Sequence, residues 1–293
     1  MNLDYVYQVK HFVQSGETLS SIDRSVVCGG KGLNQSIAMA RSGAKVYHAG
    51  NVGSTDGHIL LSTLVCNDVN TQFVQMQNHA SGHAIIQVNQ QGENCILLHG
   101  GANVTVTEEQ IESVLAFFAC GDWLILQNEI NLLPQIIRKG KQRGLIVVLN
   151  ASPVDEAGRF LPLEDVDYLF VNEEEACLLS GQSSYDKALD ALCSHHKKMT
   201  IVCTLGKEGA VVRQGEYCHR AKAIPVRAVD TTGAGDTFLG FFVGALSQGH
   251  RIETAMKRAL FAASLCVQKE GASSSIPYAH EVEDLIESCK TSE

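Results

Sequence analysis

At 293 residues, with 45% apolar side chains and a mean hydropathy of +0.01, the chain exceeds the commonest domain size but suits one large α/β unit with a substantial core. Its 23 basic and 32 acidic residues leave a formal net charge of −9, which argues against an extended nucleic-acid footprint or an anionic membrane partner, though not against a small anion held locally. No apolar run is long enough to cross a bilayer, and Met1-Asn2-Leu3-Asp4-Tyr5 lacks the basic and apolar regions of a secretory leader, so a cytoplasmic setting is expected.

Residues 5–28 alternate apolar and polar positions around turns, the pattern of half-buried strands. Next, Cys28-Gly29-Gly30-Lys31-Gly32-Leu33-Asn34-Gln35 runs into a helical stretch that closes at Ser42-Gly43. Alternation returns over about 82–100, where His83 to Gln91 and Cys95 to His99 flank a glycine-containing turn and predict a hairpin. These two alternating regions together predict a small antiparallel flap. Beyond residue 107 the pattern changes to short apolar strands separated by helices. Thr107 and Gln110 have capping-box spacing at the start of a helix reaching Phe118. Strands follow at Trp123 to Gln127, Leu145 to Leu149, Tyr168 to Val171 and Thr200 to Thr204, with helices over Leu132 to Arg143, Glu173 to Ser180 and Tyr185 to His195. Continuous apolar strands between helices imply a parallel sheet covered on both faces. With no repeat, low-complexity segment or linker, one domain over 1–293 is expected, with the flap as a β-lid.

Ten cysteines lie without a C-x-x-C pair or a Cys/His cluster at ligand spacing, and they read as reduced thiols, mostly in the core.

Two glycine-rich segments carry chemistry. Val229-Asp230-Thr231-Thr232-Gly233-Ala234-Gly235-Asp236-Thr237-Phe238 leads into an apolar helix. The first N–H groups of a helix lack internal partners and form the positive end of its dipole. Gly233, Ala234 and Gly235 would let a phosphate reach them, and Asp236 would stand beside it to take a proton from an attacking hydroxyl. An acidic residue opening a helix is also a common N-cap, so the segment alone leaves both readings open. In the other segment, Lys31 and Asn34 share a face near a helix start. That face suits a polar sugar, but it is equally the look of a solvated glycine-rich helix entry.

Taken together, the two segments resemble the signatures of the ribokinase-like (PfkB) carbohydrate kinase family. Further similarity appears in chain order at Asn2-x-Asp4, Gly16-Glu17-Thr18, Gly50-Asn51-Val52-Gly53, Gly92-Glu93-Asn94, Asn172-Glu173-x-Glu175-Ala176, Thr204-Leu205-Gly206-x-x-Gly209 and Lys269-Glu270-Gly271-Ala272-x-x-Ser275-x-Pro277. The resemblance implies a Rossmann-like three-layer αβα sandwich with a mostly parallel central sheet and a small β-sheet lid. It implies ATP-dependent phosphorylation of a pentose on its primary hydroxyl, ribose first, with deoxyribose, a keto-sugar or a nucleoside as alternatives.

Position by position, the resemblance assigns Asn2, Asp4, Gly30, Lys31, Asn34 and Glu129 to the sugar and Asp236 to proton abstraction. Gly233, Ala234 and Gly235 fall to the transferring phosphoryl group, and Asn172, Thr204, Gly206, Gly209 and Gly235 to ATP. Glu175 would act on Mg2+ indirectly, and Asp230, Thr232, Cys266, Gly271 and Ser275 would surround a K+-type ion, several through backbone carbonyls. A homodimer joined through the lid is also implied. Asn2 and Asp4 are expected at an end of the chain prone to fray. A non-catalytic sugar-responsive regulator is the reading from a different class. A dinucleotide oxidoreductase is weaker still, because no G-x-G-x-x-G stands between an opening strand and a helix.

Overall fold

The computed structural model describes residues 1–154 and 160–290. The alternating N-terminal segments form a four-stranded sheet: β1 (Asn2–Gln8), β2 (Asp23–Gly29), β5 (Gly82–Val88) and β6 (Asn94–His99), in the order β2-β1-β5-β6. β1–β2 and β5–β6 are antiparallel, but β1–β5 is parallel, which corrects the expected antiparallel flap. The reason is topological, since β1 and β5 are joined by a long crossover rather than a hairpin. The chain start does not fray. Asn2 pairs with Gly29 on one side and Gly82 on the other, and both Met1 and Asn2 are buried.

The crossover contains α1 (Lys31–Arg41), β3 (Tyr47–Gly53), α2 (His58–Val65) and β4 (Asn70–Gln77), with β3 and β4 forming a separate parallel pair. After α3 (Glu108–Phe117) comes the six-stranded sheet. Its strands β7 (Trp123–Gln127), β8 (Ile146–Asn150), β9 (Tyr168–Asn172) and β10 (Thr200–Thr204) are parallel. β11 (Ala210–Gln214) and β12 (Tyr217–Ala221) extend it antiparallel at one edge. The helices are α4 (Leu133–Gln142), α5 (Glu173–Ser180), α6 (Tyr185–His195), α7 (Ala234–Ser247), α8 (Ile252–Cys266) and α9 (Ala279–Lys290).

Side chains on successive strand positions explain the layering. Val148, Phe170 and Val202 enter one core with residues of α1, α7 and α8. Their neighbours Val147, Leu149, Leu169, Val171, Ile201 and Cys203 enter a second core with α4 and α6. Because strand side chains alternate sides, the two cores lie on opposite faces of the sheet, giving a three-layer αβα arrangement. The ten cysteines are free, but only Cys193, Cys203 and Cys266 are buried; five are exposed, which corrects the expectation of mostly core thiols.

Close helix packing positions the site. A Cβ at Gly240 on α7 would come within 2.9 Å of the Ala38 and Met39 backbone on α1, so the two helices touch through main chain. That contact brings the N-termini of α1 and α7 side by side. Gly240→Val is expected to force the helices apart, costing about 1–3 kcal/mol of stability. The check is a denaturant melt, with the sugar KM measured alongside; unchanged stability would contradict the packing argument.

Candidate active site

Asp236, in the first turn of α7, points across to α1. Its Oδ2 accepts from Asn34 Nδ2 at 2.9 Å and its Oδ1 from Gln35 Nε2 at 2.8 Å. Gln35, wholly buried, in turn accepts at Oε1 from Gln127 Nε2 of β7 at 2.7 Å. The residue flanking the helix start is Gly233, with φ 76° and ψ 0°, and no side chain caps α7. Asp236 is therefore not an N-cap; its carboxylate is used across the helix pair, leaving the start of α7 open to an external anion. Burial pushes the Asp236 carboxyl up, and the Glu129 charge adds to this. The Lys31 charge and the bonds from Asn34 and Gln35 oppose the rise without cancelling it. A raised carboxylate is a better proton acceptor than a free one.

A pocket of about 180 Å3 opens in front of this acid. It is lined by Lys31, Gly233, Gly235 and Asp236, by Asn172 and Thr204 at the ends of β9 and β10, and by Glu175 in the first turn of α5. Asn150, at the end of β8, and Ser152, just beyond it, line it as well and were not expected. The C-terminal ends of parallel strands are where open α/β sheets bind ligands. A Cβ at Gly235 would meet nothing within 4 Å, so the space above this glycine belongs to the pocket and not to packing. Asn172 and Glu175 also cap α5 reciprocally, at 2.8 and 3.0 Å. The cap occupies Asn172 Oδ1 and one Glu175 oxygen, leaving Asn172 Nδ2 and the other carboxylate oxygen for a ligand. Thr204 lines the pocket, whereas Gly206 and Gly209 lie outside its lining, in the turn between β10 and β11. Gly209 packs against the 221–223 backbone.

Of the expected sugar residues, Lys31 lines this pocket and Asn34 bonds Asp236, while Asn2, Asp4, Gly30 and Glu129 lie outside its lining. Asn2 Oδ1 accepts from Asn103 Nδ2 at 2.9 Å, and Asn103 was missed because a lone Asn in a loop carries no pattern. Gly29 and Gly30 abut Asp4 and the Asn2 backbone, where any side chain would collide. Burial, then the Glu129 charge, pushes the Asp4 carboxyl up to about 6 against the pull of the chain's amino end. Glu129 acts electrostatically on both Asp4 and Asp236, which places it near both. Asn34 Oδ1 is buried and, among the described residues, has no hydrogen-bond partner. Such an orphaned acceptor is costly unless a ligand donor reaches it.

Behind the start of α7, Asp230 joins two loops. It accepts from Thr232 N and Oγ1 at 2.9 and 2.7 Å and from Gly271 N at 2.9 Å. Burial pushes its carboxyl up, but these three bonds outweigh it and hold the group below the usual range. Cys266 Sγ lies 3.1 Å from Ser275 Oγ and 3.9 Å from the Thr232 carbonyl. All five residues expected around a monovalent ion thus come together. Their hard oxygens and one firmly ionised carboxylate suit K+, whereas the Cys266 thiol does not, so its carbonyl is the fitting donor. Among the described residues no three His, Cys, Asp or Glu side chains cluster as a metal site. Glu175 offers one oxygen of the kind Mg2+ takes when water and phosphate supply the rest.

Residues 1–279 match the pfkB family of carbohydrate kinases, and the chain belongs to that family. It is a carbohydrate kinase with the ribokinase-like fold. It is 35% identical over 298 residues to the ribokinase of Haemophilus influenzae, covering 98% of this chain and 96% of that one. A deoxyribokinase of Salmonella typhimurium is 32% identical, covering 94% and 92%. The solved structure of Arabidopsis thaliana ribokinase complexed with ribose and ATP matches with a TM-score of 0.85 at 29% identity, covering 97% and 95%. No helix among the described residues is long and apolar enough to cross a membrane.

Proposed function

We propose that the chain phosphorylates the primary hydroxyl of ribose with ATP, giving ribose 5-phosphate. The carrying observation is the Asp236–Asn34 pair. Asn34 gives its amide hydrogen to Asp236 while its own Oδ1 waits buried for a donor, and a sugar hydroxyl supplies one within reach of the acid.

In this reading Asn2, Asp4, Gly30, Lys31, Asn34 and Glu129 hold the sugar with its free hydroxyl toward Asp236. Asp236 takes the proton as the hydroxyl oxygen attacks the γ-phosphorus. The N–H groups of Gly233, Ala234 and Gly235 stabilise the charge spread over the transferring oxygens, and Lys31 neutralises part of it. Asn172 and Thr204 hold the phosphates and nucleotide, with Gly206 and Gly209 shaping the outer edge. Glu175 would help to hold Mg2+ through its water ligands, and the ion would supply positive charge against the phosphates. Asp230, Thr232, Cys266, Gly271 and Ser275 would hold K+, which adds positive charge behind the anion pocket. The unit is one kinase domain whose four-stranded sheet closes over the sugar and excludes competing water. The exposed Ile85, Ile96, Leu97 and Leu98 on that sheet support a homodimer through the lid. Light scattering tests it, a monomer being the contrary result. A cytoplasmic location fits this chemistry.

A coupled ADP-release assay across ribose, deoxyribose, fructose and nucleosides tests the substrate. Ribose with the highest kcat/KM is the expected result. Preference for deoxyribose is the second reading, favoured by the deoxyribokinase relative.

Asp4 gives a pH signature. Its folded pKa of about 6 lies above the ordinary 3.8, so the folded chain holds the extra proton between these values and this residue's contribution to stability falls as pH rises through that window. Only the ionised form accepts from two sugar hydroxyls. The sugar KM is therefore expected to rise as pH drops below about 6, and Asp4→Asn should flatten that dependence; an unchanged profile in the variant contradicts it.

A further inference from the structure

Two amide side chains donate to the Asp236 carboxylate, and they differ in what holds their far ends. An ionised carboxylate only accepts, so Asn34 and Gln35 must each turn a nitrogen toward it and an oxygen away. The Asn34 oxygen has no partner among the described residues and is left for the sugar. The Gln35 oxygen is held by the protein itself. Gln127, the last residue of β7, donates to it from Nε2 at 2.7 Å. Gln127 thus fixes which way round the buried Gln35 amide stands, and so which group Gln35 presents to the acid.

The first turn of α1 is shaped around this contact. Gly32 stands three positions before Gln35 and shares its face of the helix. A Cβ at Gly32 would come within 3.1 Å of Gln127 Oε1, closer than such atoms normally pack. The next group, His48 Cε1, would stand at an ordinary 3.5 Å. Gly32 is not among the glycines with positive φ, so its backbone does not call for glycine. What the missing side chain leaves open is the path of the Gln127 amide to α1.

We propose that Gln127 is a positioning residue for phosphoryl transfer: through Gln35 it keeps a donor turned to one side of Asp236, and Gly32 is the opening that admits it. This rests on the reading of Asp236 as the base. A Gln35 amide released from Gln127 is free to turn its oxygen to the carboxylate, replacing a donor by an acceptor. The ionised form is then disfavoured, and the acid keeps its proton to higher pH. The charged groups acting on Asp236 are Lys31 on α1 and Glu129 beyond β7. Variants at Gln127 and Gly32 leave both in place.

Measuring kcat against pH at saturating sugar and ATP tests this, because the effect of Asp4 on sugar binding drops out there. Gln127→Leu should lower kcat roughly 10-fold or more at neutral pH, as small misplacements of reacting groups do. Its acid limb should move up by about one pH unit, the shift that goes with losing a hydrogen bond to a carboxylate. The sugar KM should change little. Gln127→Glu keeps the shape; the new carboxyl donates to Gln35 while protonated and cannot once ionised, so kcat should gain a new falling limb toward high pH. Gly32→Ala should give a milder form of the Gln127→Leu defect with Tm unchanged or raised, since alanine suits a helix better than glycine. The double variant should be no slower than Gln127→Leu alone, because both changes break one contact. Parent-like rates and pH profiles in both Gln127 variants, beside a slow Asp236→Asn, would overturn the positioning role and leave the base assigned. Lower rates with an unshifted acid limb would mean that the two glutamines only pack, and would overturn it as well. A near-parent rate in Asp236→Asn would overturn both readings. Costs at Gly32 and Gln127 that add in full would overturn the role given to Gly32.

Discussion

Asp236→Asn is expected to lower kcat by roughly 10²–10⁴-fold, the usual range for loss of a general base. The protein should stay folded and keep its affinity for ATP. Asp236 receives one bond from Asn34 Nδ2 and one from Gln35 Nε2, and caps no helix. An amide of the same shape keeps one acceptor and turns the other into a donor. Rotation of the Asn34 amide then presents Oδ1, which has no partner, to that new donor. Structure is thus restored while the proton acceptor is gone, so the main defect should fall on kcat, with a rise in the sugar KM because the rotated Asn34 no longer offers Oδ1 to the sugar hydroxyl. Thermal melts and nucleotide titration would check the intact fold beside steady-state rates. A variant turning over at near the parent rate contradicts the assignment.

Gly235→Val is the second large effect. A Cβ here would touch no protein atom, and the residue lies in the first turn of α7, so the fold should tolerate the change within about 0.5 kcal/mol. The added methyl groups project into space that the mechanism reserves for the phosphoryl group. A loss of about 10²-fold in kcat/KM for ATP is expected, comparable to deleting one oxyanion donor. Stability measured with and without ATP separates the explanations. A large drop in Tm without ligand would mean that the glycine serves packing, and unchanged kinetics would mean that no phosphate approaches it.

Much of this architecture is legible in the residues, because its signals are local. The short strands with apolar centres at Trp123 and Thr200 sit between helices whose ends carry their own punctuation, such as Gly144 after α4 and Gly181 after α5. Where tertiary pairing decides, local signals fail. The parallel partnership of β1 with β5 joins segments about 80 positions apart and has no turn to announce it. The capping box at Thr107 is half right for the same reason. Thr107 Oγ1 accepts from Gln110 N at 3.2 Å, but the Gln110 amide turns away to Asn51 at 2.9 Å.

The site divides in the same way. Glycine-rich turns at helix starts mark Gly30, Lys31, Gly233 and Asp236, because each needs an unobstructed backbone. Gln35 and Gln127, which hold the acid in place, look in sequence like ordinary polar residues, and only the contact of α1 with α7 and β7 shows their use. The N-cap reading of Asp236 is settled by direction alone, since its carboxylate faces α1.

The most direct test of the account is a crystal structure of the chain with ribose and a non-hydrolysable ATP analogue. The account predicts the ribose primary hydroxyl oxygen about 2.6–3.2 Å from an Asp236 carboxylate oxygen, with the γ-phosphate at the N–H groups of Gly233 to Gly235. A sugar seated elsewhere, or a hydroxyl beyond the reach of one bridging water from Asp236, would contradict it.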